Sequence, residues 1–555
     1  MRMKMRMRMK MRMKKLLVYI FVVLLFPVSS LGRPAVKEHF PVTRTGDWVF
    51  FSDKKGVDFD PYTFFDPKAI ERRQKLGLSL FDTLDYPVSD AYLHRLGDYV
   101  DSVGLVSRWF NAAYVYASAL QISEVEQLAF VDSVRPSSLR LLLASNEKDT
   151  DEHALLAKAD TVLLNTQLRH MSGTMFHENN YFGQGVRIAV FDAGFRGVKT
   201  HPAFRHLVDD GRIIATYDFH RQRENVYVSS THGTMVLSAI AGLLDGQPMG
   251  LAPGAEFLLA RTEIRREPLA EEKYWLAAVE WADQHGADII NSSLGYIYHR
   301  YYPEEMDGQT SLVARAAHIA ARKGILIVNS AGNQGNDEHW RIIVTPADAD
   351  SVLTVGALDY PSMLRASYSS LGPTADGRMK PNVSALGSVV TASRRQLAKP
   401  QGTSFASPLV TGFAACLMQM YPTWSNMDIF NAIERSATLY PYYDYAHGHG
   451  VPQASNFFNQ NAGFRMPTFD IIAGNDSIKI FLRERIGQGD QPNAAKIAEN
   501  KYLYYHKRNA DGTIARYYVV DLEDADKISI ARDAFNDGQQ LFIHFNGYTS
   551  GIRVK

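Results

Sequence analysis

Val186-Arg-Ile-Ala-Val-Phe-Asp-Ala-Gly194 decides the fold class. Its apolar residues run almost unbroken to Phe191, as in a parallel strand covered on both faces, whereas a half-solvated strand alternates. Comparable runs recur at Phe257-Leu-Leu-Ala260, Ile289-Ile-Asn-Ser-Ser-Leu294, Ile325-Leu-Ile-Val-Asn329 and Val352-Leu-Thr-Val355. Helical patterns separate several of them, at His232–Leu244, Glu271–His285 and Thr310–Lys323. This alternation predicts an α/β domain, a parallel sheet with helices on both faces. Asp192 then falls at the carboxyl end of a central strand, the edge where open α/β sheets hold their ligands. Taken alone, an Asp there does no more than end a strand.

Upstream, Asp47-Trp-Val-Phe-Phe-Ser52 alternates, Pro67–Leu76 has helical character, and strand candidates lie near Leu105–Val115. This mixture predicts a small α+β domain. The charged, Ala-rich stretch 145–160 reads as an exposed linker, open to proteolytic nicking. Beyond Arg465 the pattern turns to β, with Ser477–Leu482, Ala515–Val520 and Gln540–Phe545 separated by turn residues such as Asn509-Ala-Asp-Gly512. A β-sandwich is expected there. The division is therefore 1–32, 33–150, 151–464 and 465–555.

At 555 residues, 46% hydrophobic and 21% charged, the chain has the composition of a globular protein with several domains. Its formal charge of +1 conceals an asymmetry. Residues 1–32 hold eight Lys or Arg and no acid, which leaves 52 basic against 59 acidic residues in the remainder. No basic stripe with interleaved aromatics appears there, which argues against nucleic-acid binding. The lone Cys416 lies in an apolar run, so it forms no intramolecular disulfide and reads as a buried structural thiol.

The first 32 residues read as a signal peptide. Lys14-Lys15 precede an apolar run from Leu16 to Phe26, and Ser30 and Gly32 suit a cut after Gly32. That run is shorter than the roughly 20 residues a membrane-spanning helix needs, so no stable membrane span is expected after cleavage. The Met/Arg/Lys repeat over 1–12 suggests that translation starts at Met13.

Three further segments join Asp192. Thr231-His-Gly-Thr-Met-Val-Leu237 opens a helix, where Gly233 and nearby small residues permit close packing around His232. Gln401-Gly-Thr-Ser-Phe-Ala-Ser-Pro-Leu409 puts Ser404 just inside the start of an apolar helix. There the backbone N–H has no intrahelical acceptor and faces partial positive charge, which suits a developing oxyanion. Gly402 leaves room for a substrate carbonyl, and Pro408 is read as part of the first turn. Asn329-Ser-Ala-Gly-Asn-Gln-Gly335 follows a buried strand and offers the Asn333 amide as a second donor. Each has an ordinary structural reading: a helix-terminal His, an N-capping hydroxyl, an Asn-Gly turn.

Together, in the order Asp, His, Asn, Ser, the four segments resemble the subtilisin-like (subtilase) serine peptidases. Gly402-Thr-Ser-Phe-Ala-Ser-Pro408 and His232-Gly-Thr-Met235 carry most of the likeness, which spans roughly residues 160–460. Asp192-Ala-Gly departs from the commoner Asp-Thr/Ser-Gly by one hydroxyl. The resemblance implies a secreted serine endopeptidase with the triad Asp192, His232 and Ser404, and Asn333 in the oxyanion hole. Asn291-Ser-Ser-Leu-Gly295 resembles the segment lining the first specificity pocket, which makes Ser293, Leu294 and Gly295 a rail for extended protein or peptide substrate. The 33–150 region is then an inhibitory propeptide, cut from the zymogen somewhere in 140–165. No cofactor is required. Family members often carry structural calcium, but no EF-hand-like Asp/Asn ladder supports it here.

Other classes fit less well. A lipase on an α/β-hydrolase fold wants Gly-x-Ser-x-Gly and a different triad order. A zinc peptidase wants His-Glu-x-x-His, and His177-Glu178 lacks the second His. A catalytically inactive subtilase fold serving as a binding or processing scaffold stays open, although all four key residues are present.

Overall fold

The computed structural model describes residues 46–136, 158–264, 271–297, 301–459, 466–483, 501–523 and 525–554. The expected signal peptide, the Met13 start and most of the 140–165 cleavage region lie outside them. Lys158–Arg169 is a helix, so the linker read over 145–160 ends before Lys158.

The amino-terminal region is α+β. Strands β1 (Asp47–Phe51), β2 (Ser102–Ser107), β3 (Ala112–Tyr116) and β4 (Val131–Pro136) form an antiparallel sheet in the order β2-β3-β1-β4. Alternation along β1 sends Val49 and Phe51 into a core with Leu96, Val115 and Phe130, whereas Trp48 faces the other way. Helix α1 (Pro67–Lys75) starts where Asp66 accepts the Lys68 N–H and Pro67 fills the first position.

The central sheet holds seven parallel strands: β5 (Arg187–Asp192), β6 (Ile213–Asp218), β7 (Glu256–Arg261), β8 (Ile289–Ser292), β9 (Leu326–Ser330), β10 (Val352–Leu358) and β11 (Val383–Leu386). Their spatial order is β11-β10-β9-β8-β5-β7-β6. The continuous apolar runs are the inner strands, and every residue of β5, β8, β9 and β10 is buried. The two end strands were not evident in the sequence. In β6 only Asp218 is fully buried, and β11 is four residues long.

Helices cover both faces. On one side lie α2 (His232–Ala241) and α5 (Thr403–Met420), packed with Phe257, Leu353 and Val383. On the other, α3 (Glu271–Gln284) and α4 (Leu312–Arg322) pack against Ala189, Leu258 and Ile327. Trp48, Trp109 and Tyr114 of the amino-terminal domain join this second core.

At the carboxyl end, β12 (Phe469–Ala473), β13 (Ser477–Leu482) and β16 (Lys527–Ala531) form one antiparallel sheet. Strands β14 (Tyr502–Arg508), β15 (Ile514–Asp521), β17 (Gln540–Phe545) and β18 (Tyr548–Arg553) form another. Ile478 and Ile480 from the first meet Leu503, Leu541 and Ile543 from the second in one core, making a β-sandwich. Among the described residues, no helix is long and apolar enough to cross a membrane.

Candidate active site

Strand order sets the location. β5 has β7 on one side and β8 on the other, so the chain's path through the sheet reverses between β5 and β8. Loops leaving neighbouring strands in opposite directions open a crevice at such a point. Asp192 is the last residue of β5, and Ser293 follows the last residue of β8.

Asp192 is fully buried, and its carboxylate accepts the Ala193 N–H at 2.7 Å. His232 Nδ1 lies 2.9 Å from each Asp192 oxygen. That arrangement holds the proton on Nδ1 and directs Nε2 away from the carboxylate. Gly233 makes the pairing possible. A Cβ there would stand 2.9 Å from Asp192 Cβ and 2.7 Å from the Gly194 carbonyl oxygen. Any side chain would push α2, and the imidazole with it, off the strand end.

Ser404 is the second residue of α5. The His232 ring packs beside Phe405 with centroids 5.4 Å apart, so the imidazole and Ser404 flank the same first turn. The Ser404 hydroxyl donates to the Ser293 carbonyl oxygen at 3.2 Å. Ser293 Oγ returns a bond to the Ser404 carbonyl oxygen at 3.0 Å. Rotation about χ1 moves the Ser404 oxygen, and rotation about the Cβ–Oγ bond re-aims its proton.

Pro408 corrects one expectation and explains the second of these bonds. It is the sixth residue of α5, past the first turn. Having no N–H, it leaves the carbonyl four residues earlier, that of Ser404, without an intrahelical donor. Ser293 Oγ supplies it. Behind Ser293, Asn291 Nδ2 donates to Ser293 Oγ at 3.1 Å, and Asn291 Oδ1 accepts from Ser407 and Thr411 at 3.2 and 2.9 Å. This buried polar chain, absent from the sequence reading, ties β8 to the first three turns of α5. The signal for it was the break in apolar character at Asn291.

Asn333 lies across from this turn. Its Oδ1 accepts both the backbone N–H and the hydroxyl of Thr403, at 3.0 and 2.9 Å. Two donors on one side fix the amide's orientation, so Nδ2 is the end left facing outward. Thr403, the first residue of α5, thereby orients Asn333. Gly402 has a positive φ of 151°, a backbone conformation that favours glycine. On the other side of the crevice, the Leu294 carbonyl oxygen accepts Asn329 Nδ2 at 2.9 Å, which holds the 293–295 segment against β9. Arg261 is a further support missed in the sequence. It pairs with buried Asp218 at 2.9 Å and donates from Nε to the Ala193 carbonyl at 2.9 Å, bracing the turn after Asp192.

Among the described residues, no three His, Cys, Asp or Glu side chains converge as a metal site would need. Cys416 is buried, its Sγ 3.3 Å from the Leu251 carbonyl oxygen, and burial pushes the thiol well above its ordinary range.

The amino-terminal domain docks on α3 through buried charge. Asp283 meets Arg72, Arg73 and Arg108 at 2.5, 2.8 and 2.9 Å. Burial alone pushes the Asp283 carboxyl up, but the three guanidiniums outweigh it and hold the group at about 2. Glu280 accepts the Ser107 hydroxyl at 2.5 Å and the Arg108 N–H at 3.0 Å; burial leaves its carboxyl raised. Lys323 of the central domain reaches Asp82 and Asp85 at 3.0 and 2.9 Å.

Comparison with known proteins agrees with this architecture. Residues 183–460 match the subtilase family, and residues 47–153 match the Peptidase S8 propeptide domain of Bacteroidota. The chain belongs to the subtilase family. It is 30% identical over 266 residues to subtilisin NAT of Bacillus subtilis subsp. natto, a match covering 47% of this chain and 63% of that protein. It is 31% identical over 259 residues to subtilisin DY of Bacillus licheniformis, covering 46% of this chain and 85% of the relative. Fervidolysin from Fervidobacterium pennivorans, described as a keratinolytic enzyme related to subtilisin, shares the fold with a TM-score of 0.51 at 19% identity. That match covers 90% of this chain and 70% of fervidolysin.

Proposed function

We propose that this chain is the precursor of a secreted serine endopeptidase, with Ser404 as nucleophile, His232 as general base and acid, and Asp192 as the group that orients His232. The observation that carries this reading is the Asp192–His232 pair standing beside the first turn of α5, where Ser404 begins the helix.

In the acylation step His232 Nε2 takes the Ser404 proton as Oγ bonds to the peptide carbonyl carbon. The carbonyl π pair moves onto oxygen, and Asp192 stabilises the imidazolium. Asn333 Nδ2 and the Ser404 N–H donate to the oxyanion, reinforced by the positive end of α5. The imidazolium then protonates the departing amine as the C–N bond breaks, leaving an acyl ester on Ser404. Water, deprotonated by the same imidazole, reverses the sequence and frees the acid. No step uses a metal ion, and a structural calcium ion is not part of the proposal. Ser293, Leu294 and Gly295 pair with the extended substrate. The 47–136 domain, bound through Asp283 and Glu280, acts as an intramolecular inhibitor until it is cut away.

The test compares wild type with Ser404→Ala for reaction with a fluorophosphonate probe, conversion of the precursor and hydrolysis of casein. All three should occur in wild type and vanish in the variant. A wild type that neither labels nor cleaves, but stays unprocessed and holds a protein partner, would instead mark an inactive scaffold.

A further inference from the structure

The structure assigns Arg365 as a positioning residue for oxyanion binding: with the turn it shapes, 365–370, it holds the loop that presents the Asn333 amide. This inference rests on the endopeptidase reading above and extends it to a residue outside the motif segments.

The loop after β9 is held from the neighbouring strand. Thr403 orients the Asn333 amide, but an amide is placed only as well as its own backbone. β10 lies beside β9, and after Leu358 the chain turns back, so that the Ala366 N–H donates to the Ala357 carbonyl oxygen at 2.9 Å. Residues 368–370 then meet residues 332–335. The Gly335 N–H donates to the Tyr368 carbonyl oxygen at 2.7 Å, and the Ser370 N–H to the Gly332 carbonyl oxygen at 2.9 Å. The Gln334 N–H donates to Ser370 Oγ at 3.2 Å. Asn333 thus has a tied residue on either side of it.

Arg365 shapes the supporting turn. Its Nη1 donates to the carbonyl oxygens of Ala366, Ser367 and Ser369 at 3.1, 2.9 and 2.7 Å. Carbonyl dipoles converging on one point repel one another, and a guanidinium satisfies several such acceptors at once. The same nitrogen faces the oxyanion loop. A Cβ placed on Gly335 would lie 2.6 Å from Arg365 Nη1 and would collide with the Ser369 oxygen. The backbone of Arg365 is anchored from behind, where its N–H donates to His447 Nε2 at 3.2 Å. Accepting there requires the imidazole proton on Nδ1, which lies 3.0 Å from Asp444 Oδ1. Asp444 also accepts the backbone N–H groups of Ala446 and His447, each at 2.8 Å. Asp444 and His447 are both buried, and Tyr504 of β14 meets the His447 ring edge-on with centroids 5.5 Å apart. Because its Nε2 accepts a backbone N–H, this second Asp–His pair orients a loop and not a nucleophile. Without the guanidinium the turn relaxes, and the Asn333 amide shifts with it. A displacement of about 1 Å costs on the order of 100-fold in rate.

The test measures kcat and KM on one peptide anilide for wild type, Arg365→Met, Asn333→Ala and the variant carrying both changes. Each chain is matured in trans by immobilised wild type, and its active sites are counted by fluorophosphonate titration. Arg365→Met should lower kcat by about 10- to 100-fold with KM within about threefold, because placement of the amide matters only once charge reaches the oxygen. With Asn333→Ala already in place, Arg365→Met should change kcat by less than about threefold, because no amide is left to place. An arginine that serves only the fold would lose titratable sites at unchanged kcat, or would add its full loss in both backgrounds. Either result overturns the assignment. If Arg365→Met does not accumulate as folded protein, Ser370→Ala decides, since it deletes the acceptor of the Gln334 N–H and little else. It should lower kcat by about 3- to 10-fold, and only where Asn333 is present; an unchanged kcat overturns the assignment. Wild type that takes up no phosphonate and cuts nothing overturns the peptidase reading and this inference together.

Discussion

Replacing Ser293 by Ala should destabilise the fold through a particular atom, the Ser404 carbonyl oxygen. Pro408 denies that oxygen its helical donor, and Ser293 Oγ replaces it at 3.0 Å. A buried acceptor left unpaired costs ~1–3 kcal/mol, and the Asn291 amide loses its acceptor in the same substitution. The single variant should therefore lose about 2–3 kcal/mol. Pro408→Ala restores an N–H four residues after Ser404, so in that background the carbonyl has a helical donor whether or not Ser293 is present. Only the Asn291 part of the loss should survive, about 1 kcal/mol, giving a coupling of about 1–2 kcal/mol between positions 293 and 408. The cycle is measured by urea unfolding in a Ser404→Ala background, which prevents self-digestion and leaves the residue-404 backbone unchanged. Entropic effects of removing the proline in the unfolded chain appear in both Pro408→Ala arms and cancel. Additive losses would refute the idea that Ser293 compensates for the proline.

Asn333→Ala should lower kcat on the order of 100- to 1,000-fold with little change in KM, because the lost hydrogen bond forms only with the oxyanion; steady-state kinetics on a peptide anilide reads both. Asp283→Ala takes from Arg72 the carboxylate it pairs with and leaves Arg73 and Arg108 only the longer contacts to Asp85 and Glu280, so it should weaken docking of residues 47–136 by about 3–5 kcal/mol. Faster nicking of that domain by trypsin in the Ser404→Ala chain would report it. With the Asp283 carboxyl held at about 2 in the docked state, its contribution is present above the free-carboxyl value near 4 and fades as pH falls toward 2. The same nicking assay should therefore show undiminished protection down to about pH 4. His170 is buried, with its value pushed down to about 4 by desolvation. It stabilises the fold above about pH 6.5, an effect lost as pH falls toward 4, and His170→Gln should flatten the acid limb of a Tm–pH curve.

The inner strands were legible because burial on both faces forces an unbroken apolar run, as in Ile188–Phe191. The edges were not: β6 leaves most of its residues partly solvated, and β11 is too short for a pattern. Asp192, His232, Asn333 and Ser404 were singled out from motifs, and all four stand around the same crevice. Their supports were hidden because they join distant parts of the chain. Arg72 and Arg73 look like the solvated face of a helix, yet they are 5% and 1% exposed because Asp283, some two hundred residues away, receives them. Pro408 was taken as a first-turn residue because motif spacing does not reveal where a helix starts.

The claim on which the rest depends is that one hydroxyl is made nucleophilic by the His232 imidazole. Peptide mapping after brief treatment with a fluorophosphonate tests it directly. In wild type the adduct should sit on Ser404 alone, and in His232→Ala it should form orders of magnitude more slowly. An adduct on another residue, or labelling of His232→Ala at the wild-type rate, would contradict the account.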